Sequence, residues 1–79
     1  MKEGNQIYLE ISKILEYRRV EIGMSKRKLS ELSGITPPYL REVLRGERKP
    51  SILILVSICK VMDLKVSDVF LALENNERI

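Results

Sequence analysis

The sequence predicts an all-α fold of five helices. Apolar residues recur at helical spacing in one segment after another, and no run alternates long enough with a period of two to suggest a strand. Gly23, Gly34, Gly46, Pro37, Pro38 and Pro50 fall at the joints between these segments, where residues that stop or start helices belong. A chain of 79 residues allows one small domain, residues 1–79, with residues 1–6 and 75–79 expected to fray. That length already excludes most enzymes.

The first helix is expected over about residues 7–22, where Ile7, Ile11, Ile14, Leu15 and Ile22 share one stripe, and Gly23 supplies a left-handed residue to end it. Ser25 is a good N-cap for a second helix over Lys26 to Ser33, with Leu29, Leu32 and Ser30 facing inward and Gly34 as the stop. Thr36 is the next N-cap. Pro37 and Pro38 suit the first turn that follows, because their missing amide hydrogens would have no intrahelical acceptor there. The third helix should run from Pro37 to Arg45, closed by Gly46. After a short basic loop from Glu47 to Pro50, Ser51 caps a fourth helix over Ile52 to Asp63, and a fifth covers Val66 to Glu74. Ile7, Ile11, Leu29, Leu40, Val43, Leu55, Ile58, Met62 and Phe70 are the expected core.

The net charge is only +3, but its distribution is uneven. Residues 26–50 carry seven basic and three acidic side chains, against four and four before them and three and four after them. Cys59 is the single cysteine and there is no histidine, so neither an intrachain disulfide nor a Cys/His metal site is available. Set among Ile58, Val61 and Met62, it reads as a buried structural thiol in a protein of the reducing cytoplasm. The N-terminal residues lack the apolar core of a signal peptide. The longest apolar stretch, Ile52 to Met62, is interrupted by Ser57 and Lys60 and is too short to span a bilayer. No residue pattern requires a cofactor, a metal or a small-molecule ligand.

Two short helices joined through Gly34 and Ile35 make a helix-turn-helix, in which the glycine permits the sharp turn and the isoleucine plugs the angle. The run Met24-Ser25-Lys26-Arg27-Lys28-Leu29-Ser30-Glu31-Leu32-Ser33-Gly34-Ile35-Thr36-Pro37-Pro38-Tyr39-Leu40 resembles, without a gap, the motif of the phage Cro and cI repressor-like family. The loop Arg45-Gly46-Glu47-Arg48-Lys49-Pro50-Ser51 and the closing segment Val66-Ser67-Asp68-Val69-Phe70 resemble its later parts. The resemblance spans about residues 7–73 and implies a compact lambda-repressor-like domain that binds double-stranded DNA, with the third helix in the major groove.

The expected DNA contacts are Lys26, Arg27, Thr36, Pro37, Pro38, Tyr39, Arg41, Glu42, Arg45, Arg48 and Lys49. By resemblance, Lys26 and Tyr39 hold phosphates, and Arg48 and Lys49 lie along the backbone or minor groove. Pro37, Pro38, Arg41 and Glu42 occupy the base-reading positions. Neither proline can donate a hydrogen bond, which narrows the direct code, although proline rings can press on thymine methyl groups. Arg41 suits guanine O6 and N7; Glu42 suits either cytosine N4 or a local ion pair. Leu44 stands where the family often has a glutamate partnered by the residue equivalent to Arg19, so Arg19 needs another partner, phosphate being one.

Leu53 and Ile54 are apolar where the family is commonly polar. With Val61, Leu71 and Leu73 they form a candidate homodimer face, which would place two copies on an inverted repeat; a better-filled local core is the alternative. The function implied is a transcriptional regulator, a repressor in the first instance, with a restriction-modification controller or an antitoxin as variants of the same fold. A protein-interaction adaptor is the alternative class, motivated by the two prolines and the apolar fourth helix. Catalysis has no support: Ser25-x-x-Lys28 and Ser57-x-x-Lys60 lack the companion motifs that serine-lysine acyl-transfer enzymes require.

Overall fold

The computed structural model describes residues 4–75. Its five helices are α1 (Gly4–Glu21), α2 (Lys26–Ser33), α3 (Pro37–Leu44), α4 (Ile52–Val61) and α5 (Val66–Glu74), and no strand occurs among the described residues. α1 begins before the expected Ile7; residues 1–3 and 76–79 of the ends expected to fray lie outside the described residues. α1 packs on α3 and α5, α2 on α3 and α4, and α4 on α5.

Capping chemistry sets most boundaries. Ser25 Oγ accepts the Lys28 N–H at 3.0 Å, and Ser51 Oγ accepts that of Ile54 at 3.2 Å. Thr36 takes the extended N-cap backbone, but its hydroxyl makes no capping bond. Pro38 removes one of the two amides that an N-cap side chain can reach. α3 stops at Leu44, with Arg45 as its C-cap, and α4 stops at Val61 instead of reaching Asp63. Asp63 adopts a left-handed φ of 52°, and the Leu64 N–H turns back to the Cys59 carbonyl at 2.9 Å. Arg18 of α1 reinforces that ending by donating from Nε to the Met62 carbonyl at 2.9 Å. A cation there also complements the negative end of the helix dipole.

The fully buried side chains are Leu15, Leu29, Leu40, Val43, Ile58, Cys59, Met62 and Val69. Burial in this apolar setting pushes the Cys59 thiol up to about 11, keeping it protonated. Two expected core residues lie elsewhere. Ile7 and Phe70 are exposed along a groove between α1, α4 and α5, because Val69, about 100° around α5, takes the inward position. Leu32 is 54% exposed: α2 turns Leu29, Ser30 and the half-buried Ser33 inward, and the two small serines let it approach the following turn. Ile22 is also exposed, one residue beyond the end of α1.

Arg19 finds its partner inside the protein. Its guanidinium meets both oxygens of Glu16 at 2.8 and 2.9 Å and donates to the Met24 carbonyl at 2.7 Å, so it anchors the turn into α2 and is not held for phosphate. The hydrogen bond from Arg19 holds the Glu16 carboxyl below its ordinary range, against a smaller opposing effect of burial.

Two glycines with left-handed φ separate backbone strain from crowding. At Gly34 (φ 75°) an added Cβ would meet nothing within 4 Å, whereas at Gly46 (φ 74°) it would lie 2.9 Å from the Leu9 Cα. Gly34→Ala should therefore cost about 1–2 kcal/mol in urea unfolding, the left-handed penalty alone. Gly46→Ala should cost more; equal losses would mean that the Leu9 contact yields freely. Because the Glu16 carboxyl is depressed, its contribution is full above 4.5 and lost as pH falls below that value. Glu16→Gln should thus destabilise the protein at neutral pH, with the gap to wild type closing on acidification.

Candidate nucleic-acid interface

The turn between α2 and α3 sets the position of the outer helix. Gly34 donates to the Ser30 carbonyl from its left-handed conformation, and Ile35 is buried beneath the angle. Ser30 Oγ donates to the Ile35 carbonyl. Ser33 Oγ donates to the Leu29 carbonyl at 2.6 Å and accepts the Ile35 N–H at 3.4 Å. These small hydroxyl side chains satisfy the polar groups of a tight turn where larger ones would hold the helices apart.

Leu40, Val43 and Leu44 seat α3 in the core. At about 100° per residue, Pro38, Arg41, Glu42 and Arg45 then occupy the opposite face, with Pro37 on the flank nearest α2. That flank is open: a groove of about 370 Å³ is lined by Lys26, Arg27, Pro37, Leu40 and Arg41. Its floor is apolar and its rims are cationic. Arg41 and Arg45 are exposed, and neither pairs with a carboxylate among the described residues. Arg27 is held only loosely, 3.6 Å from Glu31, and both side chains are exposed.

The opposite flank is already occupied. Arg48 donates from Nε to Glu42 at 2.7 Å, and its guanidinium lies over the Tyr39 ring at 4.7 Å from the centroid. Of the two partners expected for Glu42, cytosine or a local cation, the structure supplies the cation. Lys49 reaches across to α1, its Nζ 5.9 Å from the centre of the Tyr8 ring. Together with the approach of Gly46 to Leu9, this fastens the basic loop to α1.

The structure thus gathers Lys26, Arg27, Pro37 and Arg41 around one groove, with Pro38 and Arg45 beside them, and Thr36 exposed at the start of α3. Tyr39, Glu42 and Arg48 form a second group, while Lys49 lies apart from them over the Tyr8 ring. Tyr8 and the groove floor at Leu40 escaped the sequence reading. Nothing in the local sequence of α1 marks Tyr8 as a neighbour of the loop. The candidate dimer residues divide as well: Leu53 and Leu71 are 75% and 53% exposed, while Ile54, Val61 and Leu73 are half-buried against the core.

A two-helix unit with a glycine turn, seated on three supporting helices and presenting a cationic outer helix, defines the helix-turn-helix class. The chain belongs to that family: the helix-turn-helix family model matches residues 14–69. It is 36% identical over 58 residues to the HTH-type transcriptional regulator YgzD of Bacillus subtilis, itself uncharacterized, covering 73% of this chain and 88% of YgzD. A regulator of the same type from Mycobacterium tuberculosis is 49% identical over 39 residues, covering 49% of this chain and 28% of the relative. Among solved structures, the clp gene regulator ClgR of Corynebacterium glutamicum superposes with a TM-score of 0.78 at 31% identity, covering 82% of this chain and 83% of ClgR. The restriction-modification controller protein C.AhdI of Aeromonas hydrophila shares the fold at a TM-score of 0.75 and 24% identity, over 78% of this chain and 94% of that one.

The Glu42 and Arg48 side chains are each a little over two-fifths exposed, so their attraction is weakened by solvent. A double-mutant cycle of Glu42→Ala and Arg48→Ala in urea unfolding should return a coupling of about 0.5–1 kcal/mol that shrinks as salt is added. A coupling of zero at low salt would dissolve the pair as a structural element.

Proposed function

We propose that the chain is a sequence-specific regulator of transcription that binds double-stranded DNA. The observation that carries this function is the outward face of α3, where Arg41 and Arg45 stand without carboxylate partners among the described residues, beside the cationic groove formed with Lys26 and Arg27. Lys and Arg side chains neutralise phosphates and release counterions, while a helix held outward by a tight turn fits the major groove. The likeness to ClgR, a gene regulator by name, supports the same function.

In this mechanism Lys26, Arg27, Arg48 and Lys49 hold phosphates and set the register, and Arg41 reads a base edge. Glu42 orients Arg48. The protein acts in the cytoplasm as a repressor, by occupying an operator that overlaps a promoter, and performs no catalysis. A domain of this size covers few base pairs, so two copies on an inverted repeat would supply the required length of site. Leu53 and Leu71 provide the exposed apolar contact between the copies.

Selection from randomised duplexes, followed by binding at several salt concentrations, tests this function. A preferred inverted repeat and a steep loss of affinity with salt are expected; absence of binding at low salt would overturn it. Arg41→Ala should relax preference at one base position, by about 1–3 kcal/mol, whereas Lys49→Ala should weaken all sequences alike and reduce the salt slope by about 0.9. Sedimentation of Leu53→Asp and Leu71→Asp variants should show monomers where wild type is dimeric, without loss of helicity. Unchanged assembly in both would remove this interface.

A further inference from the structure

We infer that α3 reads the C5-methyl group of a pyrimidine next to a guanine, and that the protein accordingly treats 5-methylcytosine as thymine. The inference rests on the DNA-binding function proposed above and specifies what the base-reading face recognises. At the start of that face stand Pro37 and Pro38, both exposed, in the first two positions of the helix. Their rings offer carbon surface alone, and neither has an amide hydrogen to give to a base or a phosphate. Glu42, the acceptor suited to a cytosine N4, is engaged by Arg48 at 2.7 Å. The remaining reader in the groove is Arg41, which lines it together with Pro37.

The spacing matches adjacent base pairs. Pro38 and Arg41 are three positions apart, about 4.5 Å along a helix axis, while neighbouring base pairs are separated by about 3.4 Å. Arg41 on guanine O6 and N7 would therefore bring the proline surface over the neighbouring base. In the major groove, the apolar feature that a pyrimidine presents is its C5 substituent: a methyl in thymine and a hydrogen in cytosine. A proline has no group with which to distinguish thymine O4 from cytosine N4. It detects the methyl and ignores the polar edge, so methylating a cytosine at C5 should restore the contact.

The test uses the full chain and the duplex recovered by selection. Each thymine is replaced in turn by deoxyuridine, which removes the methyl and leaves every hydrogen-bonding group in place. Affinity should fall by about fourfold per methyl lost at one position, or two, in each half-site, the change expected for burial of one carbon group of that size. The same position carrying cytosine paired with guanine should bind more weakly, and 5-methylcytosine there should recover that factor. Pro38→Gln, with its folding confirmed by thermal melting, should abolish the difference between thymine and deoxyuridine. Sequence-specific binding that is indifferent to deoxyuridine everywhere, or that treats 5-methylcytosine as cytosine, overturns the methyl readout alone. Absence of any specific binding overturns the regulator function and the readout with it. The scans on the unaltered chain decide the matter even if the proline variant fails to fold.

Discussion

The angle between α2 and α3 depends on Ile35. Its side chain is buried at the inside of the turn, and burying an isoleucine contributes about 1.5–3 kcal/mol, large beside any single surface contact in this protein. Gly34 makes the reversal of direction possible, and Ser30 and Ser33 satisfy the polar groups that it leaves. Once that angle is set, the direction in which Arg41 points follows from helix geometry. The remainder of the fold acts as a mount: α1 and α4 back the two motif helices, while Arg18 and Arg19 bind the ends of neighbouring segments to α1.

The two sides of α3 differ in electrostatic state. Toward α2, the cations face an apolar floor and remain available to an incoming polyanion. Toward the loop, Glu42 and Tyr39 hold Arg48 in place. An ordered arginine loses less conformational freedom when it meets a phosphate, which offsets part of the energy needed to separate it from its carboxylate. The modest overall charge of +3 thus conceals one flank that is open and one that is internally balanced.

The helices were legible in the sequence because their ends carry local chemistry. Ser25 and Ser51 act as caps, and α2 and α5 span the residues that the pattern indicated. Burial was less legible, since periodicity identifies a face but not how far neighbouring elements cover it. Ile7 and Phe70 belong to apolar faces, yet no side chain among the described residues closes over them. Leu32 misled for a different reason: the turn demanded small residues, and two serines displaced the leucine from the inside of α2. At the candidate interface, residue types and order along α3 pointed to the outward face. The pairing of Glu42 with Arg48, and of Lys49 with Tyr8, depends on how the loop folds back, which side-chain spacing along the chain does not encode.

The approach of Gly46 to α1 carries a consequence for how such a domain can change. Leu9 and Ser12 lie against the glycine, and Ser12 is itself buried, its hydroxyl donating to the Leu9 carbonyl at 2.6 Å. The basic loop is therefore mounted on two residues far from it in sequence. Variation at Leu9 or Ser12 would therefore be felt in the loop that carries Arg48 and Lys49, without changing any residue on the outward face of α3. The setting of the basic loop and the make-up of the outward face of α3 can in this sense change separately, one from α1 and the other on α3 itself.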